Sequence, residues 1–63
     1  MQPQRRSYLI SLTTKDRQQR TRMRNALWRL HASEVLPGLY LAYLTDEEHR
    51  RLSQRYGVRI RAR

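Results

Sequence analysis

Arg59, Arg61 and Arg63 occupy alternate positions at the end of the chain, interleaved with Val58, Ile60 and Ala62. Such alternation belongs to an extended strand with one cationic and one apolar face. A second row, Arg17, Thr21, Arg24, Trp28 and His31, recurs at helical spacing and falls within about 80° of arc at 100° per residue. Arg20 lies in the same segment, and Arg22 and Arg29 make a further basic edge. Guanidinium groups grip phosphate oxygens through paired hydrogen bonds and stack on base planes, which an ammonium does not do. Trp28 among these cations offers a stacking plane for a base or an anchor for a protein partner. The candidate nucleic-acid contacts are therefore Arg17, Arg20, Arg24, Trp28, Arg59, Arg61 and Arg63. Gln4, Arg5, Arg6 and Lys15 add a basic rim. The plainer alternative leaves Arg17 and Arg24 solvated and puts Trp28 over the edge of a small core or a dimer seam.

Catalytic chemistry finds little support in the residue types. His31 and His49 fall in different helical segments, and without cysteine or a convincing carboxylate cluster they make no metal set. Ser7, Ser11 and Ser33 lack an evident His-plus-acid system. Asp46, Glu47 and Glu48 are accounted for as the start of a helix. No catalytic residue, metal or cofactor is expected, and the chain reads as a non-enzyme. A ribonuclease working with His and Arg alone is the remaining enzymatic reading.

Charge is the strongest compositional signal. Fourteen basic residues against five acidic ones give +9 in 63 residues, and the sequence pI is about 11.5. Lys15 is the only lysine. GC-rich coding also favours arginine, so the net charge is the firmer argument for a polyanionic partner. A chain this short forms one domain, 1–63, with residues 1–6 as a flexible arm, and buries only about 60% of its unfolded surface. Oligomerisation is a natural way for it to gain core. No disulfide is possible without cysteine. No apolar run nears the roughly 18 residues that span a bilayer, and Met1–Arg6 lacks the apolar segment of a signal peptide. A cytoplasmic location without membrane contact follows as the expectation.

The elements that must position these residues can be read in order. Residues 7 to 13 alternate as a strand, with Tyr8, Ile10 and Leu12 on one side and Ser7, Leu9 and Ser11 on the other. Thr13 or Thr14 is placed to cap a helix over 15–32, whose buried stripe is Met23, Ala26, Leu27 and Leu30. Pro37-Gly38 is a turn signal between strands over 33–36 and 38–44, with a bulge in one continuous strand as the alternative. Thr45 with Glu48 forms a capping box, starting a helix that runs to Tyr56 with Leu52 and Tyr56 inward and Gly57 as its stop. A final strand starts at Val58.

Strand, helix, strand, strand, helix, strand is the α+β ferredoxin-like plan, βαββαβ, with two helices on one face of a four-stranded antiparallel sheet. Right-handed crossovers put the first and third strands in the centre and the last beside the first. The free face then carries Ser7, Leu9, Ser11, Arg59 and Arg61. It is joined either by Tyr40 and Ala42 or by Leu39, Leu41 and Tyr43. Arginine beside aromatic rings on an open sheet suits single-stranded RNA. A second copy sealing the same face, over Leu9 and a tyrosine, is the favoured expectation, since the aromatic motifs of RNA-recognition sheets are absent.

Tyr8-Leu9-Ile10-Ser11-Leu12, Arg20 to Leu27 and Val35-Leu36-Pro37-Gly38-Leu39-Tyr40-Leu41 together resemble a ferredoxin-like domain found in two groups. One is the small CRISPR-associated dimeric nuclease-like proteins, and the other is the middle domain of PaaX-like repressors. The resemblance covers most of residues 7 to 56. It implies the same fold, a homodimer and, from the first group, binding of duplex DNA. That group's metal-binding aspartate falls near Ser11, so the resemblance does not extend to metal-dependent nuclease activity.

The expectation is thus a dimeric, arginine-rich nucleic-acid-binding protein, for DNA or RNA, held mainly through phosphate contacts and acting in regulation or nucleic-acid processing. The alternative is a small regulator or inhibitor from a phage or mobile element that docks on an acidic protein surface.

Overall fold

A computed structural model describes residues 4–55 and 57–63. The elements are β1 (Arg6–Leu12), α1 (Arg17–Arg29), β2 (Ser33–Leu36), β3 (Leu39–Leu44), α2 (Asp46–Ser53) and β4 (Val58–Ala62). They form one antiparallel sheet in the order β2-β3-β1-β4, which is the ferredoxin-like arrangement. β1 and β3 are central because each is paired on both sides, leaving β2 and β4 as edges.

Both helices cover one side of the sheet. Tyr8 and Ile10 of β1 and Tyr40, Ala42 and Leu44 of β3 are buried with Met23 and Leu27 of α1 and Leu52 of α2. Leu12, Leu30, Ala32, Val58 and Ile60 pack around this cluster. Buried Tyr40 and Ala42 decide the orientation of β3, so Leu39, Leu41 and Tyr43 take the open side. His49 contributes to the packing, its ring stacked on Tyr8 with centroids 4.4 Å apart.

The helices are shorter than the sequence suggests, for local reasons. α1 is capped by Asp16, not by Thr13 or Thr14: Asp16 Oδ1 accepts from the Gln18 N–H at 2.9 Å. Thr14 supports this turn by accepting from the Asp16 N–H through Oγ1 at 3.1 Å. At its other end α1 stops at Arg29 because His31 takes a left-handed φ of 60°. The His31 N–H then donates to Trp28 O and the Ala32 N–H to Leu27 O, both at 3.0 Å. This pair of bonds is a Schellman closure with histidine where glycine is usual. α2 ends at Ser53, ahead of the expected Tyr56, which lies outside the described residues.

Two glycines terminate elements as their positions require. Gly38 has φ 79° in the turn between β2 and β3, and Gly57 has φ 84° before β4. A Cβ on Gly57 would also stand 2.8 Å from Thr14 Cβ. The carbonyls of both glycines hold the end of β1, accepting from the Leu12 N–H (Gly38, 2.9 Å) and the Thr13 N–H (Gly57, 2.8 Å).

Candidate nucleic-acid interface

The strand register lays out the open face in rows. Ser33, Leu41, Leu9 and Arg61 cross the sheet from β2 to β4, and Leu36, Leu39, Ser11 and Arg59 form the adjacent row. A third row pairs Tyr43 with Ser7, and the Arg63 N–H continues it by donating to Ser7 O at 3.2 Å. The centre of the face is therefore apolar and its β4 margin cationic. Leu9, Leu39 and Leu41 are half-buried by their neighbours, while Arg59, Arg61 and Arg63 are exposed. Tyr43 is 57% exposed, because no layer of the described residues lies over it.

Alternate residues of a strand stand about 6.7 Å apart, so Arg59, Arg61 and Arg63 make a straight row of guanidinium stems. Arg59 and Arg61 edge a shallow hollow with Leu9, Ser11 and Leu39. Arg63, Tyr43, Ser7 and Arg5 border another at the far end of the face. Among the described residues, no Asp or Glu lines either hollow.

The acidic residues are elsewhere. Asp16 caps α1, and Glu34 pairs in register with buried Tyr40, on the helix side. Asp46, Glu47 and Glu48 form the first turn of α2. There the capping box is complete: Glu48 Oε1 accepts from the Thr45 N–H at 2.9 Å and Thr45 Oγ1 from the Glu48 N–H at 3.1 Å. Arg5 Nη1 donates to the same Glu48 oxygen at 2.6 Å and to Tyr43 O at 3.3 Å. The Thr45 backbone bond, followed by the Arg5 cation, holds the Glu48 carboxyl below the usual carboxylate range. Arg5, expected on a basic rim, is thus tied to α2, and Arg6 lies with Gln4, Thr45, Asp46 and Glu47 around a neighbouring hollow.

The seven candidate contacts do not share one surface. Arg17, Arg24 and Trp28 are exposed on α1, turned away from the sheet that Met23 and Leu27 pack upon. Trp28 is 78% exposed, so it covers no part of this chain's core. Arg20 is half-buried and bonded: its Nη1 donates to Thr14 O at 3.1 Å. Its Nη2 lies beside Gly38, 3.5 Å from where a Cβ would stand. Its bond ties α1 to the loop that precedes it, beside the β2–β3 turn, whereas Arg17 and Arg24 are exposed. Arg59, Arg61 and Arg63 belong to the opposite, open face. Tyr43 joins them there, a residue that sequence alternation left undecided because both sides of β3 are apolar.

Among the described residues, no group of three or more His, Cys, Asp or Glu could hold a metal ion. Nor is any helix among them long and apolar enough to cross a membrane. Comparison with protein-family models, with curated proteins and with solved structures finds no match to this chain.

Proposed function

We propose that this protein binds single-stranded nucleic acid, RNA or DNA, along the open face of its sheet. The observation that carries this reading is the row Arg59, Arg61 and Arg63 beside exposed Tyr43 and the apolar strip of Leu9, Leu39 and Leu41. Phosphates would track the β4 margin while bases lie over the strip and stack on Tyr43, a combination that tolerates any sequence because every base has a π-face. The lack of Asp and Glu among the described residues that line the two hollows favours the same ligand. Fluorescence anisotropy of a labelled oligonucleotide tests the proposal. Affinity should fall steeply between low and moderate salt as bound phosphates regain counterions. Equal affinity across that range would dismiss a phosphate-driven interface.

A second reading draws on the same face. Leu36, 62% exposed at the β2 edge, extends the apolar strip of Leu9, Leu39 and Leu41, and a second copy would cover it. Homodimer and nucleic acid would then compete for one surface. Light scattering with and without oligonucleotide separates them: a dimer that dissociates on adding the strand supports competition, and a dimer unchanged with strand bound moves the ligand elsewhere.

A further inference from the structure

Cation density is high on two surfaces that point in opposite directions, and only one of them is used by the sheet-face interface. α1 contains no acidic residue. Arg17, Arg22, Arg24 and Arg29 are all exposed along it, as is Trp28. Arg17, Arg24 and Trp28 share a stripe, separated by seven and four residues, and span about 16 Å at 1.5 Å per residue. Neither of the ion pairs among the described residues, Arg5–Glu48 and Arg51–Glu47, involves this stripe. Its one large apolar group is a largely exposed indole, flanked one turn earlier by Arg24 and followed by Arg29. That arrangement repeats the chemistry of the open face, a stacking ring beside phosphate-gripping guanidinium groups, on the other side of the molecule.

From these two faces we infer that one protomer holds two nucleic-acid strands at once, one on the sheet and one on α1, and so bridges them. The inference rests on the sheet-face reading above and adds a second, independent site to it. The two faces lie on opposite sides of the core in a molecule whose shortest Cα extent is 18 Å, and salt screens solvent-exposed charges that lie more than a Debye length of about 8 Å apart. A strand on the sheet would therefore leave the α1 field largely intact. Charge complementarity and the exposed indole both select an anionic strand with stackable bases as the α1 occupant.

A sandwich capture tests bridging directly. Unlabelled oligo-dT is fixed to beads, the full-length protein is loaded and washed, and fluorescent oligo-dT is then offered. The two strands cannot pair with each other, so retained fluorescence reports the protein bridge. The wild type should retain the second strand. Arg17→Gln/Arg24→Gln/Trp28→Ala, in which only exposed side chains change, should still load on the beads but retain about tenfold less fluorescence, as expected for one lost base stack together with two phosphate contacts. Circular dichroism confirms that the variant is folded, and Trp28→Ala alone should give an intermediate loss. Wild-type protein that loads but retains no second strand would overturn bridging while leaving the sheet-face reading intact. Undiminished retention by the triple variant would also overturn it, placing the second strand on another copy's sheet. Failure of the wild type to load at all would defeat the sheet-face reading itself.

Discussion

Replacing Arg59, Arg61 and Arg63 together by glutamine gives the most quantitative handle on the proposed sheet-face interface. All three side chains are exposed, and surface substitutions of this kind change stability by about 0.5 kcal/mol or less. Any loss of binding is therefore not a loss of fold. If each arginine neutralises one phosphate, each contributes about 0.7 to the slope of log affinity against log salt for a single strand. Three contacts make about 2 units of slope. Between 50 and 200 mM salt, a fourfold change, those contacts alone account for about a twentyfold loss of affinity. The triple variant should lose that component and show a flatter dependence. The assay is anisotropy of one labelled oligonucleotide across a salt series, with Arg50→Gln/Arg55→Gln as a control for net charge. That control removes one exposed cation from α2 and one that borders the hollow between the helices, both off the open face. A triple variant with the wild-type slope would refute the assignment of phosphates to β4, whatever its absolute affinity.

Tyr43→Ala should weaken binding by about 1–3 kcal/mol and Tyr43→Phe by much less, because stacking needs the ring and not the hydroxyl; anisotropy at constant salt separates the two. Thr45→Ala should destabilise the fold by about 1 kcal/mol in urea titrations, since it removes the hydroxyl acceptor at the start of α2. Glu48 should make acid unfolding pH-dependent in a defined direction. Its folded pKa is lowered by the Thr45 backbone bond and the Arg5 cation, so its contribution is fully present above the unfolded pKa and is lost as pH falls through the folded one. Glu48→Gln should therefore lower stability near neutral pH and flatten the acid limb; an unchanged acid limb would reject this role. His31→Gly should raise the thermal midpoint, by up to about 1 kcal/mol of stability, because glycine takes a left-handed φ without steric cost. Gly57→Ala should lower it, given φ 84° and the 2.8 Å approach to Thr14.

Much of the architecture was readable from local signals. Alternation in residues 7–12 and 58–62, the Pro37-Gly38 turn and the Thr45–Glu48 capping box each act within a few residues, so their outcome depends little on the rest of the chain. The helix ends were less legible. Thr13, Thr14 and Asp16 can all cap α1, and the choice falls to Asp16 once β1 is held at Leu12 and Thr13 by the two glycine carbonyls. His31 ends α1 early in a left-handed conformation that histidine adopts uncommonly, with no glycine at that position to announce it.

The candidate site divides along the same line. Its charge, its excess of arginine over lysine and the cationic side of β4 belong to the sequence, because composition and period-two alternation need no partner to be read. The grouping of those residues belongs to the tertiary structure. Burial of Tyr40 and Ala42 under the helices turns Tyr43 to the open face, a choice that the equally apolar sides of β3 could not make alone. Arg5 meets Glu48 across a sequence separation of 43 residues, and Arg20 folds back onto Thr14 O, so two arginines alike in sequence to the rest become parts of the scaffold. The two-layer packing sets Arg17, Arg24 and Trp28 on one side and Arg59, Arg61 and Arg63 on the other. One basic chain thereby acquires two separate cationic faces, since helix and sheet can share a core only by turning their polar surfaces apart.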